Sequence, residues 1–121
     1  VIVAGFGFRS SAKVAACEAA LALAQPGHPP VTALAAPHDK ADLLAPLAHR
    51  LGIPLIALAA DRLTGVATPT RSRASLHARG TGSVAEAAAL VAAGAGARLL
   101  TRRCISPDRT ATCAIAQGLS I

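Results

Sequence analysis

The chain has 121 residues, with 12 Lys and Arg against 6 Asp and Glu, for a net charge of +6. That length supports one domain over residues 1–121 with a single core, and the charge favours an acidic partner. The composition argues against a membrane protein, because no uncharged apolar run approaches the ~18 residues a span needs, and against a nucleic-acid partner, because two Phe and no Tyr or Trp leave almost nothing for bases to stack on.

Val1-Ile2-Val3-Ala4 reads as a buried strand that breaks at Gly5-Phe6-Gly7-Phe8-Arg9 and enters a helix at Ser10-Ser11. Strand, glycine turn and helix N-terminus in that order make a place for an anion, so Gly5, Gly7, Arg9, Ser10 and Ser11 are candidate binding residues. The dull alternative is a tight turn with no ligand. The helix, Ser11 to Gln25, stops at Pro26-Gly27. Val31 to Ala36 is a second strand, closed by Pro37. The next helix starts at about Asp42, because Pro46 is tolerable only in or near a first turn, and runs to Leu51 before Gly52. Asp39 and Lys40 precede it, as an acid/base pair or as a cap and a solvated charge.

Ile53 to Leu58 is a third strand, and Ala60 to Leu63 a short helical turn. Together the first three strands are expected to be central, parallel and almost wholly buried. The pattern fades from Thr64 to Arg79, which reads as a mobile loop with an edge strand after it. Gly80-Thr81-Gly82-Ser83 then repeats the anion-friendly turn, and Ser83 with Glu86 forms a capping box for a helix ending near Ala93 and Gly94. Glu86 is either that box's reciprocal partner or a carboxylate at the mouth of a crevice. Arg98 to Thr101 and Thr110 to Ala116 are the last strands, expected to form an antiparallel hairpin because no helix separates them, with Arg102 to Arg109 as the loop. This order predicts an α/β fold: three layers, α/β/α, around a mixed, mainly parallel sheet of about five strands. Ligands of such sheets sit beyond the carboxyl ends of the parallel strands, which puts both glycine turns and His38-Asp39-Lys40 around one crevice.

Several chemistries lack their signatures. Gly5-x-Gly7-x-x-Ser10 is a truncated dinucleotide fingerprint with no acidic residue closing the second strand, and neither turn carries a Walker lysine. No nucleophile-elbow context supports a Ser/His/Asp triad. Cys17, Cys104 and Cys113 are widely spaced and form no C-x-x-C pair, so no metal site is indicated and three reduced thiols in a cytoplasmic protein are expected. His28 and His49 read as inert. His38 and His77 lie near the motifs without making a ligand set.

Taken together, Gly5-Phe6-Gly7-Phe8-Arg9-Ser10-Ser11, Pro37-His38-Asp39-Lys40-Ala41-Asp42, Arg50-Leu51-Gly52-Ile53-Pro54, Gly80-Thr81-Gly82-Ser83-Val84-Ala85-Glu86-Ala87 and Ala111-Thr112-Cys113-Ala114 resemble the CobE family of cobalamin (vitamin B12) biosynthesis. The same domain forms the C-terminal part of the CbiG cobalt-precorrin hydrolase. The resemblance covers nearly the whole chain. It implies a protein of tetrapyrrole metabolism that binds or processes an anionic precorrin, as a carrier or as a hydrolase-like enzyme that opens a lactone on the ring, without a cofactor. On that reading Asp39 or Glu86 is the general base, and Lys40 or the Gly80 to Ser83 amides stabilise the oxyanion. Arg102 and Arg103 join the binding set, because ring-borne acetates and propionates pair well with arginine. The rival readings are a module without its own site that docks on a pathway methyltransferase or other cobalamin-pathway enzyme, and a nucleotide-binding domain.

Overall fold

In the computed structural model, which describes residues 1–73, 75–76 and 80–119, five strands form one sheet in the order β3-β2-β1-β5-β4. The strands are β1 (Ile2–Phe8), β2 (Ala33–Pro37), β3 (Leu55–Leu58), β4 (Arg98–Ile105) and β5 (Ala111–Gln117). β1 pairs with β2, and β2 with β3, in parallel. β5 runs antiparallel to both β1 and β4, so four strands share a direction and β5 alone is reversed. The expected final hairpin is present, and the mixed, mainly parallel α/β sheet is the observed one.

Helices cover both faces. Helix α1 (Val14–Ala24) and helix α2 (Ala45–Leu51) lie on one side, helix α3 (Ala60–Leu63) and helix α4 (Val84–Ala93) on the other. The strand period of two sorts β1 between them: Ile2, Ala4 and Phe6 face α1, while Val3 faces α4. Pro46 sits in the first turn of α2, behind a 3-10 turn at Ala41–Leu44, and Gly52 closes the helix in the left-handed conformation at φ 69°. Among the described residues no helix is long and apolar enough to cross a membrane.

The structure corrects four local expectations. First, β1 does not break at Gly5. It continues to Phe8, with Gly5 and Gly7 paired to Ala114 and Thr112 of β5. The glycines serve packing: a Cβ on Gly5 would stand 2.2 Å from the Ala85 carbonyl oxygen and 2.3 Å from the Ala89 nitrogen of α4. Their absent side chains, with the small Ala85, Ala88 and Ala89 opposite, let the α4 backbone rest on the sheet. Second, α1 starts at Val14, with Lys13 at its cap and no side-chain capping bond. Ser10 and Ser11 form a turn, closed by the Ala12 N–H on the Arg9 carbonyl at 2.9 Å, and are not a helix N-terminus. Third, β3 is an edge strand with Ala57 exposed, not a central buried one, because β5 inserts beside β1 and pushes the parallel set to one side. Fourth, β4 runs on to Ile105, so Arg102 and Arg103 belong to the strand and the hairpin loop shrinks to 106–110. No strand occurs among the described residues of 64–80; His77 and Arg79 lie outside those residues.

Candidate functional site

The crevice forms where three peptide ends meet. Beyond the carboxyl ends of β1 and β4, and at the N-terminus of α4, lies a cavity of about 360 Å³ lined by Arg9, Arg103 and Arg109 together with Ser72, Ser75 and Ser83. Gly7, Phe8, Val84 and Ile105 supply its apolar wall. No carboxylate is among its described lining residues. Three guanidinium groups around one hollow suit a ligand with several anionic groups, because each arginine offers a planar fork for a carboxylate.

Each arginine is delivered by a different device. Arg9 directly follows β1, and its N–H is pinned to the Thr110 carbonyl at 2.8 Å. Arg103 sits at an irregularity of β4: the pairing shifts register between Thr101 and Cys104, so the strand carries extra residues against β5. Such a bulge re-aims a side chain and leaves an amide without a ladder partner. Here that amide donates to Glu86 Oε2 at 2.9 Å. Arg102, its neighbour, is exposed and does not line the cavity, as strand alternation requires. Arg109 stands in the hairpin turn at φ 62°, a left-handed conformation that a non-glycine residue holds only under local constraint.

That constraint is a set of hydrogen bonds onto Asp108. Its Oδ1 accepts from the Ser106 hydroxyl at 2.7 Å, the Thr110 hydroxyl at 2.8 Å and the Thr110 N–H at 3.0 Å. These bonds favour the charged form and hold the Asp108 carboxyl below the usual aspartate range, with the Ser106 bond the largest cause. The Ser106 hydroxyl in turn accepts from the Ala111 N–H at 3.1 Å.

Glu86 organises the opposite wall. It is wholly buried on the first turn of α4. The Ser83 hydroxyl accepts the Glu86 N–H at 3.3 Å, which is half of the expected capping box. The Glu86 carboxylate is committed elsewhere: Oε1 accepts the Thr70 N–H at 2.9 Å, and Oε2 accepts the Thr70 hydroxyl at 2.7 Å beside the Arg103 amide. One buried carboxylate thus ties the segment before Ser72 to the β4 bulge. It does not line the cavity.

The second glycine block is buried by the same segment. Thr81 donates to the Val66 carbonyl at 3.0 Å, and the Ser72 N–H reaches the Gly82 carbonyl at 2.6 Å. A Cβ on Gly82 would meet the Thr70 carbonyl oxygen at 2.4 Å. Gly82 and Thr81 therefore receive protein backbone, not ligand, while Gly80 is exposed at a turn and Ser83 alone of the block reaches the cavity. Gly5, closed off between β-strands and α4, is likewise no ligand contact.

Asp39 and Lys40 lie next door, after β2, in a cleft of about 290 Å³ that also includes Ser10 and Asp42 and shares Phe8 and Arg9 with the arginine cavity. The Lys40 Nζ stands 5.7 Å over the Phe8 ring. Ser11 is exposed and lines neither cavity. A third hollow, about 440 Å³, lies on the helical face between α1 and α2; it is walled by Leu21, Leu47 and Ile53, and its Glu18 and Arg50 are paired with each other. Its lining offers no cluster of free cations.

Sequence reasoning missed Ser72 and Ser75 as cavity residues, and it placed Arg109 only among the basic residues of the second half without singling it out. The cue for Arg109 was local, in Ser106-Pro107-Asp108-Arg109-Thr110, a turn rich in side chains that bond their own backbone. Two of the thiols are removed from the chemistry: burial raises the Cys17 thiol to about 11 and pushes the buried Cys113 well up. Among the described residues no group of His, Cys, Asp and Glu could hold a metal ion.

Comparison with known proteins agrees with this architecture. The family model for the cobalamin synthesis G C-terminus matches residues 2–116. The crystal structure of CobE, a protein from the cobalamin (vitamin B12) biosynthetic pathway, superposes with a TM-score of 0.82 at 29% identity, over 99% of this chain and 95% of that one. The cobalamin biosynthesis protein ChiG from Agrobacterium tumefaciens strain C58 is 37% identical, with a TM-score of 0.71, over 99% of this chain and all of its own. No curated protein sequence matches the chain. With residues 2–116 matched by the family model and 37% identity to ChiG over 99% of the chain, the chain belongs to the cobalamin-biosynthesis family formed by CobE and the CbiG C-terminal domain.

Proposed function

We propose that the protein binds a precorrin intermediate of cobalamin biosynthesis through the acetate and propionate carboxylates at the ring edge. The observation that carries this is the convergence of Arg9, Arg103 and Arg109 on a cavity whose described lining holds no carboxylate. A volume of about 360 Å³ admits part of a macrocycle, not the whole. Most of the ring then stays outside, open to another pathway enzyme, which suits a carrier acting in the cytoplasm.

Glu86 is best assigned to positioning rather than to proton transfer. Its oxygens already accept three hydrogen bonds, and none of its surface is open to a substrate. Asp39 and Asp42 are the carboxylates that line the open cleft, and lactone-opening chemistry in this domain would draw its base from Asp39 there. The nucleotide alternative is weaker, because Gly5 and Gly7 are spent on helix packing and offer no free amides for a phosphate.

The test is equilibrium binding with uroporphyrin, a tetrapyrrole carrying acetate and propionate side chains, against cyanocobalamin, whose side chains are amidated, and against ATP. Uroporphyrin at 100 times its dissociation constant should stabilise the fold by about 2.7 kcal/mol. Its affinity should fall steeply as ionic strength rises, since exposed pairs are screened over ~8 Å near physiological salt. Stabilisation by ATP alone, or salt-insensitive binding, would overturn the reading.

A further inference from the structure

The two cavities at the strand ends differ in charge although they share a wall. The larger holds Arg9, Arg103 and Arg109 with no opposing carboxylate among its described lining residues. The smaller sets Arg9 and Lys40 against Asp39 and Asp42, and so is balanced. Phe8 and Arg9 line both. Lys40 is held in place: its N–H donates to the Pro37 carbonyl at 2.9 Å, its carbonyl accepts from Leu43, and its ammonium lies over the Phe8 ring.

Resting on the reading above, we propose that these are two lobes of one site, which a single elongated polycarboxylate spans across Arg9, and that Lys40 is the residue that selects for it. The arginine lobe has the field to capture any small polyanion. The balanced lobe has no such field, so a free anion gains little there. A carboxylate already tethered to a ring held in the first lobe arrives at high effective concentration, and Lys40 can then pair with it. The site thereby separates large polycarboxylates from small ones by reach rather than by charge.

The test compares citrate, a small tricarboxylate, with uroporphyrin on wild type and on Lys40→Gln, Lys40→Arg and Arg103→Ala. Arg103→Ala should weaken both ligands. Lys40→Gln should weaken uroporphyrin about tenfold, the loss of one charge-assisted contact, and leave citrate within about twofold. Lys40→Arg should restore uroporphyrin. The two-lobed site fails if Lys40→Gln leaves uroporphyrin unchanged, or weakens citrate as much. If wild type binds citrate but not uroporphyrin, the tetrapyrrole reading itself fails and this one with it.

Discussion

Two glycine-rich stretches, Gly5 to Ser11 and Gly80 to Ser83, look alike in sequence and do different work. Both use glycine to let backbone approach backbone. Gly5 receives a regular helix: the Ala85 carbonyl and Ala89 nitrogen of α4 fill the space of its missing Cβ. Gly82 receives an irregular segment, with the Thr70 carbonyl, the Thr68 hydroxyl and the Arg71 Cα close by. The first contact joins helix to sheet across the core. The second lays a polar strap over the α4 N-terminus and brings Ser72 to the cavity. Damage at Gly5 should therefore be global, and damage at Gly82 confined to the site.

The largest expected effect is that of Gly5→Ala. A methyl group there overlaps α4 main-chain atoms that cannot yield without moving the helix. Overpacking of this kind costs about 3 kcal/mol or more. Urea unfolding should show a lower midpoint with an unchanged slope; a loss under ~1 kcal/mol would mean α4 slides freely on β1, and the contrast with Gly82 would collapse.

Gly82→Ala should cost less, about 1–2 kcal/mol, because an irregular segment can shift where a helix cannot. Its signature is local: faster hydrogen exchange at the Ser72 amide, which bonds the Gly82 carbonyl, with α4 and β1 amides still protected. Binding of uroporphyrin should fall more than stability does. Equal loss of protection over the whole sheet would erase the distinction between the two glycines.

Glu86→Gln sharpens the same contrast from the other side of the strap. Glutamine keeps the size and the helix position, and the Ser83 cap needs only the backbone N–H of residue 86. Its amide nitrogen, however, must replace one oxygen that accepts from Thr70 or Arg103. A donor then faces a donor, at about 1–2 kcal/mol. The Thr70 and Arg103 amides should exchange faster together, since one carboxylate holds both. If Glu86 instead moves protons, turnover vanishes while those amides stay protected.

What was legible in the sequence follows from how local each cause is. Ser83 as a cap, Pro46 in a first turn and Gly52 as a stop are decided by a few neighbouring residues, and the structure keeps them. The mixed, mainly parallel sheet and the final hairpin followed from the alternation of strands and helices, whereas the strand order did not. The true ends of β1 and β4 did not, because Gly5 and Arg103 look like breakers until α4 and Glu86 are seen to compensate them. The edge position of β3 was hidden for a related reason: its apolar run reads as central, and only the insertion of β5 beside β1 decides otherwise. The site was half visible. Arg9, Lys40 and Ser83 line the two cavities at the strand ends, whereas Thr70, Glu86 and Arg103 meet across 16 and 17 residues of chain that no short-range pattern connects.

The smallest effect concerns the hairpin turn, which is held by neither packing nor a glycine. Its frame is the Asp108 carboxylate, accepting from Ser106 and twice from Thr110. Asp108 is fully exposed, so its charge contributes little to overall stability. Its pKa in the fold lies below the ordinary value, so the contribution is present above the ordinary aspartate pKa and is lost as pH falls through the lowered one. Acid should therefore release the turn before it unfolds the sheet. NMR titration should show the Asp108 carboxyl titrating below model-peptide aspartate, with the Thr110 amide shift following the same curve. Arg109 depends on this turn for its left-handed backbone, so the β1 and α4 amides should stay protected over that range while the turn opens. Asp108→Asn should weaken uroporphyrin affinity at neutral pH. If the variant binds as wild type does, the bond from the Arg109 N–H to the Ser106 carbonyl holds the turn without the Asp108 charge, and that charge is not part of the binding frame.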